Sequence, residues 1–450
     1  MSTDNMERLR RLQSLRRQRT GSEPDTKPSH TQSGAAGWTA DLPSGEVISN
    51  SAGECYVVTE RYALSDVRGA RPLAELLNQN PSDVAKGHPN FAIPHRADFL
   101  DAVFLVTETS GLGGGGGVYA FMVGVGSFEP SPTSTSTTGY SFEFVVRQFF
   151  MRSPAEEGSL LLALADLLSR FQLTVTFNGR TFDLPLLRTR YRQNRWALPF
   201  DDDGIGLLSP EGAHLDLLHP ARRLWRRRLK SCRLINLEEK ILGLQRSEDD
   251  VPGHLIPQIY TDYTRNGNAA EINRVFYHNR EDIVSMVSLA ERIARIHAAS
   301  PEHLGGSDLV DADWTSLGQY YERNEDVSMA EMSYQRALDQ IAAGPALAEA
   351  FQRLAQLFKR QERWAEATDL WQRWITSVPG DDTTPYVELA KYCEWRAKDL
   401  EQAEMWTSWA LHNLRASAVR QHRMATLAEL EHRLTRIQQK RAKERTIDDQ

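Results

Sequence analysis

The alternation of apolar and polar residues predicts a series of strands and helices that ends near residue 298. Runs rich in Val, Phe and Tyr, each bounded by turn-forming residues, predict strands at 54–64, 102–108, 118–127 and 141–148. SPAEEGSLLLALADLLSRF predicts a helix with Ser153 as its N-cap and Pro154 at its first position. LTVTFNG and AHLDLL are typical of strands, and TFDLPLLRTRYRQN between them is typical of a helix. Three adjacent strands followed by alternating helices and strands predict an α/β mixed sheet flanked by helices.

The last third of the chain has a different, repeating helical pattern. The W-x2-L-G-x2-Y signature of tetratricopeptide repeats is matched by Trp314, Leu317, Gly318 and Tyr321, and continued by Ala330, Tyr334 and Ala337. A second copy and a looser third copy follow, and 418–444 predicts a helix that caps the stack. Seven of the ten tryptophans lie here. Because most of them occupy repeat positions between neighbouring helices, core packing is favoured over base stacking.

The N-terminal residues contain many arginines and no long apolar run. Leu9, Leu12 and Leu15 have helical spacing among six arginines, which is compatible with a basic helix that contacts nucleic acid or an acidic partner. A frayed, solvent-exposed terminus is the favoured alternative, because isolated helices this short are marginal. Residues 20–45 are rich in Ser, Pro, Gly and Thr and are typical of a linker.

Composition limits the class of protein. The 450 residues suffice for two or three domains, and the formal net charge of -7 indicates that an anionic partner would contact a local basic patch. The three cysteines are far apart, which argues against a disulfide framework or a structural zinc site. No apolar run approaches the roughly 18 residues of a membrane span. We therefore expect a cytoplasmic protein without a membrane partner.

Three acidic residues are candidates for metal ligands. In a two-metal nuclease, divalent ions clamp a phosphodiester, so several carboxylates must converge on one pocket. Glu108 lies on a predicted strand with Phe104 and Val106 on the same face. Asp183 lies about one turn into a helix, and Asp282 is four residues after His278 on one helical face. Taken singly, Glu108 could instead cap a helix or pair with an arginine, and His278 could be an ordinary helix-surface residue.

The segments around these residues resemble known nuclease motifs. VTETSGL, FNGRTFD and HNRED resemble the three motifs of the DEDD 3'-5' exonucleases, in the right order. More specifically, residues 46 to 298 are similar to the bacterial YprB-type RNase H-like exonuclease domain, through GLGGGGGVYAFMVGVG, HLDLLHPARRLW, SCRLINLEEKILGL and DDVPGHLIPQIYTDY. The resemblance implies an RNase H-like fold, and tetratricopeptide repeats occur in some members of that family.

The resemblance also implies roles for individual residues. The family's metal-ligand positions fall on Val106, Glu108, Asp183 and Asp282, and His278 falls at the position of the general base. The first of these is an aspartate in the family and ordinarily touches both metals, whereas valine has no oxygen to offer. Valine is a good strand former, so the substitution is expected to fold well while removing the shared ligand. Asp101 lies five residues before Val106, on the opposite face, and does not replace it.

Basic and glycine-rich segments are candidates for contact with a nucleic-acid strand. ARRLWRRRLKSCR, residues 221–233, contains seven basic residues and no acid. On one helix, Arg222, Arg226 and Arg233 would line one side. The predicted nucleic-acid contacts are Arg222, Arg223, Arg226, Arg227, Arg228 and Lys230, together with Asn178 of the second motif. The glycines from Gly111 to Gly117 lack a phosphate-loop ending and suggest either a flexible turn near the site or low-complexity drift.

Three parts are thus predicted: a basic segment and flexible linker at 1–45, an RNase H-like exonuclease-type domain at 46–300 and a tetratricopeptide-repeat domain at 301–445. We expect a protein that binds single-stranded nucleic acid, with metal-dependent 3'-5' hydrolysis lost or reduced by Val106. Mg²⁺ or Mn²⁺ is the expected cofactor, held weakly by the three remaining carboxylates. The alternative is an inactive pseudo-nuclease scaffold that recruits a protein partner through the repeats.

Overall fold

A computed structural model describes most of the chain from residue 41 onwards. The described residues are 41–87, 93–94, 96–111, 117–132, 142–195, 206–298, 313–341, 344–378, 382–416 and 423–448. The basic N-terminal segment, most of the predicted linker and most of the predicted glycine turn lie outside them. Pro43–Gln450 form one compact unit.

Nine strands are present among the described residues. They are β1 (Glu46–Asn50), β2 (Gly53–Ala63), β3 (Val67–Arg68), β4 (Arg71–Pro72), β5 (Ala102–Thr109), β6 (Ala120–Pro130), β7 (Phe142–Phe150), β8 (Leu173–Thr176) and β9 (His214–Asp216). Seven form one sheet in the order β1-β2-β7-β6-β5-β8-β9, while β3 and β4 form a small hairpin. In this order, the four neighbouring pairs β1-β2, β2-β7, β7-β6 and β6-β5 are antiparallel. The last two pairs, β5-β8 and β8-β9, are parallel. The predicted mixed sheet is confirmed.

In the described ranges, seven α-helices accompany the sheet. They are α1 (Pro81–Ala85), α2 (Glu157–Leu168), α3 (Asp183–Gln193), α4 (Leu218–Trp225), α5 (Leu234–Leu237), α6 (Ile256–Asn266) and α7 (Ala270–Ala298). Two helix predictions were wrong in detail. The Ser153 side chain makes no capping hydrogen bond, because Pro154 opens a 3-10 turn and α2 begins only at Glu157. The basic segment is not one helix, since α4 ends at Trp225 and the chain turns there.

Helix α7 lies directly on the backbone of β6. Gly124 pairs with Val106 and Gly126 with Phe104, so both glycines share the sheet face of Glu108. A Cβ added at Gly124 would lie 2.1 Å from Asn279 Oδ1 and 2.4 Å from Ile283 Cδ1. Without side chains at these two positions, α7 approaches closely enough for Asn279 to reach both Glu108 and Gln148.

The C-terminal region is mostly helical. Its helices are α8 (Trp314–Arg323), α9 (Val327–Gln340), α10 (Pro345–Arg360), α11 (Trp364–Ser377), α12 (Thr384–Tyr392), α13 (Leu400–Ala416) and α14 (Arg423–Asp448). Each packs on the next, and at Gly318 the missing side chain leaves room for the Tyr334 ring. The assignment to tetratricopeptide repeats stays a prediction. Throughout the described ranges, no helix is both long enough and apolar enough to cross a membrane.

One hydrophobic core runs from the sheet into the C-terminal helices. Trp225 at the end of α4 and Trp314 at the start of α8 are both buried members of it. The backbone N–H of Asp313 donates to the carbonyl of Leu224 over 2.7 Å, and the Arg227 guanidinium binds Glu349 on α10. The sheet and the first C-terminal helices are therefore packed as one body.

The close packing of α7 on β6 predicts how much stability is lost when one methyl group is added at Gly124. Gly124→Ala should lower the free energy of unfolding by about 1–3 kcal/mol, because a Cβ there overpacks against two buried side chains. Chemical denaturation of both proteins measures the change. Gly253→Ala is the matched control: nothing lies within 4 Å of its added Cβ, so a change below about 0.5 kcal/mol is expected. Equal stability of Gly124→Ala and wild type would contradict the packing.

Candidate active site

Asp183 is hydrogen-bonded to the last part of β5, beyond the point where the neighbouring strand β8 ends. Strand β8 ends at Thr176, and its pairing with β5 reaches only Phe104. Beyond that point Asp183 Oδ1 accepts hydrogen bonds from the Thr107 backbone N–H at 2.8 Å and the Thr107 hydroxyl at 2.6 Å. Burial raises the pKa of Asp183 to about 6, although these hydrogen bonds act in the opposite direction.

Asp216 organises the loop that leads to Asp183. Its carboxylate is fully buried at the end of β9 and accepts backbone N–H donors from Asn178 at 2.7 Å, Arg180 at 3.1 Å and Leu218 at 3.1 Å. Asn178 has a φ of 68°, a left-handed conformation that asparagine tolerates better than most residues. The Asp216 carboxylate therefore accepts hydrogen bonds from backbone N–H groups of the loop before Asp183. Without it, these N–H groups would have no acceptor in this turn.

The Glu108 carboxyl is buried and lies at the end of two consecutive hydrogen bonds between amide side chains and itself. Gln148 Nε2 donates to Asn279 Oδ1 over 3.0 Å, and Asn279 Nδ2 donates to Glu108 Oε1 over 3.2 Å. Burial raises the pKa of Glu108 to about 8, and the negative charges of Asp282 and Asp183 add to this. At neutral pH, Glu108 is therefore mostly protonated in this arrangement.

Asp282 lies in an ion-pair cluster. The Arg246 guanidinium binds Asp282 and makes two further bonds with the buried Glu238, at 2.7 and 2.6 Å. The Arg246 side chain is only 7% exposed, so these charges are shielded from water. One oxygen of the Asp282 carboxylate, Oδ1, is thus bonded to a side chain of the protein itself.

His278 is held next to Asp282 by a second acid. Its Nδ1 lies 2.7 Å from Asp250 Oδ1, and its Nε2 lies 3.8 Å from Asp282 Oδ2. Burial lowers the pKa of His278, but the hydrogen bond with Asp250 and the charge of Asp282 are the main effects that outweigh it and raise the pKa to about 9. The predicted role as general base requires the neutral imidazole, which this arrangement disfavours at neutral pH.

The predicted site residues lie in one region but do not form a metal site. The charges of Asp183, His278 and Asp282 all act on Glu108, so the four motif residues are close enough to interact. Val106 lies partly buried against the hydrophobic core and contributes no oxygen. Within the described part of the chain, no group of three His, Cys, Asp or Glu residues could hold a metal ion. The arrangement therefore does not fit two divalent cations.

The structure divides the predicted basic contacts into two groups. Arg227 binds Glu349 and lies 3.5 Å from Asp313, and the Arg223 guanidinium lies over the Tyr320 ring at 5.6 Å. These two side chains join the sheet to the C-terminal helices. Arg222, Arg226, Arg228 and Lys230 are exposed, and nucleic-acid contact by them stays a prediction.

Sequence reasoning missed the residues that set the electrostatics of the site. They are Asp216, Glu238, Arg246, Asp250 and Asn279. Asp216 carried a usable signal, because an acid at the end of a parallel strand lies at the same sheet edge as the preceding strand's loop. Arg246 carried none, since it is 36 residues from Asp282 in a segment without apolar periodicity.

Comparison with known proteins agrees with this fold. Residues 103–294 match the family described as the RNase_H superfamily. The seven-stranded mixed sheet with its flanking helices is consistent with an RNase H-like fold. The chain is also 28% identical over 309 residues to "Uncharacterized protein YprB" of Bacillus subtilis (strain 168), over 67% of this chain and 66% of that protein, slightly less than two thirds of its length. The matched domain contains Glu108, Asp183, His278 and Asp282, and ends before the C-terminal helices.

The buried carboxyl of Glu108 predicts how stability depends on pH. Its pKa is raised from 4.5 to about 8, so the folded protein holds a proton that the unfolded chain releases, and stability falls as pH rises between these values. Asp183 and His278, whose pKa values are also raised, shift stability in the same direction. Denaturation in EDTA from pH 6 to 9 should show this loss for wild type and a shallower loss for Glu108→Gln. Parallel curves for the two proteins would contradict the buried, protonated Glu108.

Proposed function

We propose that the RNase H-like domain binds single-stranded nucleic acid without hydrolysing it by metal catalysis. The observation that carries the proposal is the Arg246 guanidinium bonded to Asp282 and Glu238. Two-metal hydrolysis needs carboxylates that are open to divalent cations. Here one ligand position is Val106, and the Asp282 carboxylate is neutralised by an arginine. The superfamily match supports nucleic acid as the class of ligand.

The loop before Asp183 is the surface where we propose that the strand contacts this domain. Asn178, Arg180, Thr181 and Phe182 are exposed in this loop, and 38% of Phe182 is accessible. A guanidinium can bind a phosphate oxygen and a phenyl ring can stack on a base, which is the usual combination for single strands. Because Asp216 holds the backbone of the loop, both side chains are presented from a fixed turn.

A second candidate function is 3'-5' exonuclease activity with Mg²⁺ or Mn²⁺. It is favoured by the convergence of Glu108, Asp183, His278 and Asp282 at one end of β5, in the order that the exonuclease motifs require. For these carboxylates to hold metal, Arg246 would have to give up its bond to Asp282 Oδ1, although it could keep its bonds to Glu238. Val106 and this bonded carboxylate oxygen favour non-hydrolytic binding.

The C-terminal helices support a further part of the proposal. We propose that α8 to α13 are three tetratricopeptide units and that they recruit a protein partner. Consecutive helices pack in pairs, and the signature residues Trp314, Leu317 and Tyr334 are buried between them. In this arrangement the chain would link a bound strand to a second protein.

A nuclease assay tests the loss of hydrolysis. Purified protein is incubated with 5'-labelled single-stranded DNA or RNA, with Mg²⁺, Mn²⁺ or EDTA. We expect no ladder of shortened products from wild type or from Val106→Asp, because Arg246 still neutralises Asp282. Val106→Asp combined with Arg246→Gln should be the first version to show metal-dependent shortening. A ladder from wild type that requires metal and disappears in Asp183→Asn would refute the proposal.

A binding assay tests the contact loop. Fluorescence anisotropy with a labelled oligo(dT) should show weaker binding for Phe182→Ala, by about 5- to 150-fold, because stacking on one base contributes about 1–3 kcal/mol. Arg180→Gln should weaken binding less and reduce its salt dependence. Val67→Ala and Arg170→Gln, two exposed residues elsewhere on the domain, are the controls and should bind as wild type. Loss of affinity in the controls alone would place the strand elsewhere.

A further inference from the structure

An exposed tryptophan lies among cations at the far end of the C-terminal helices. Trp395 is on a short π-helical turn, Cys393–Ala397, and 53% of it is exposed. Lys440 Nζ on α14 lies 3.9 Å from the centroid of its ring. A pocket of about 240 Å³ beside the ring is lined by Lys398, Lys440 and Lys443. We call Trp395, Lys398, Arg436, Lys440 and Lys443 the Trp395 patch.

The acid beneath the patch is already neutralised. The Glu394 side chain is completely buried and binds Arg436 and Lys440 at 2.7 Å and Arg433 at 3.4 Å. Arg433 is also influenced by Glu388 and Glu429 and does not belong to the patch. The four cations of the patch lie beside two acids, the buried Glu394 and the exposed Glu444. These described groups give an excess of about two positive charges, in a chain whose formal net charge is -7.

Packing does not account for this tryptophan. Trp314, Trp371 and Trp374 of the same helices are at most 3% exposed and form part of the hydrophobic core. Trp409 is as exposed as Trp395, at 52%, but its described ring contact is with His412 rather than with a cluster of lysines. A half-exposed indole with Lys440 and Arg436 over its ring is the combination that distinguishes the Trp395 patch.

We propose that the Trp395 patch binds single-stranded nucleic acid, with a base stacked on the indole and phosphates bound by Lys398 and Lys443. A nucleotide carries an aromatic base and an anion at fixed separation, so it can use both features of the patch. An acidic peptide would use only the charges. The proposal rests on the C-terminal helices alone and goes beyond the function proposed for the RNase H-like domain.

Anisotropy with labelled oligo(dT) and the full chain tests the patch. Trp395→Ala should weaken binding by about 5- to 150-fold, and Trp395→Phe should retain most of the affinity because it keeps an aromatic face. Lys398→Gln with Lys443→Gln should reduce the slope of log K against log salt by about 0.7 for each lost phosphate contact. Lys440 is left unchanged in this variant, because it also binds the buried Glu394 and its loss would disturb the packing.

Controls make each outcome decisive. Trp409→Ala removes an equally exposed indole outside the patch and should bind as wild type. Unchanged binding by Trp395→Ala and by the double lysine variant would overturn the proposal. So would displacement of oligo(dT) by a poly-glutamate peptide with no effect of Trp395→Ala, since the patch would then be an acidic-peptide site. Loss in Phe182→Ala but not in Trp395→Ala would leave the function of the RNase H-like domain standing and remove only the patch.

Discussion

The candidate site depends on the close packing of α7 against β6, at two positions where β6 has glycines and therefore no side chains. Gly124 and Gly126 let the helix approach until Asn279 lies between Gln148 and Glu108. The same helix carries His278 immediately before Asn279 and Asp282 about one turn after it. A helix held further from the sheet would separate these side chains from β5. The glycine pair therefore sets the spacing of the whole cluster, although neither residue has a functional group.

The charges of the site are balanced within the protein. Acidic side chains gathered at a sheet edge repel one another, and nucleases of the RNase H type relieve this with divalent cations. Here Arg246 binds Asp282 and Glu238, Asp250 binds His278, and Glu108 is protonated near neutral pH. These side chains therefore counter one another's charges within the protein.

The sequence predicted the local secondary structure and the order of the motifs. It did not predict contacts between residues that are far apart in the chain. Strands such as 102–108 are apolar over their whole length, and this made the sheet predictable. The edge strand β1 was missed because EVISN is short and largely exposed. The basic segment suggested one helix because arginines favour helices, but α4 ends at Trp225, which is buried in the hydrophobic core. Arg246 could not be placed beside Asp282, since only the tertiary fold brings them together.

The junction between the sheet and the C-terminal helices has a consequence for how the protein unfolds. Trp225 and Trp314 lie in one continuous core, and Arg227 ties the end of α4 to α10. Cutting the chain near residue 300 would expose two indoles and leave Glu349 without its guanidinium. The two halves should therefore melt in a single cooperative transition rather than in two steps. A force or a ligand acting on one half would be transmitted to the other through a rigid joint instead of a tether.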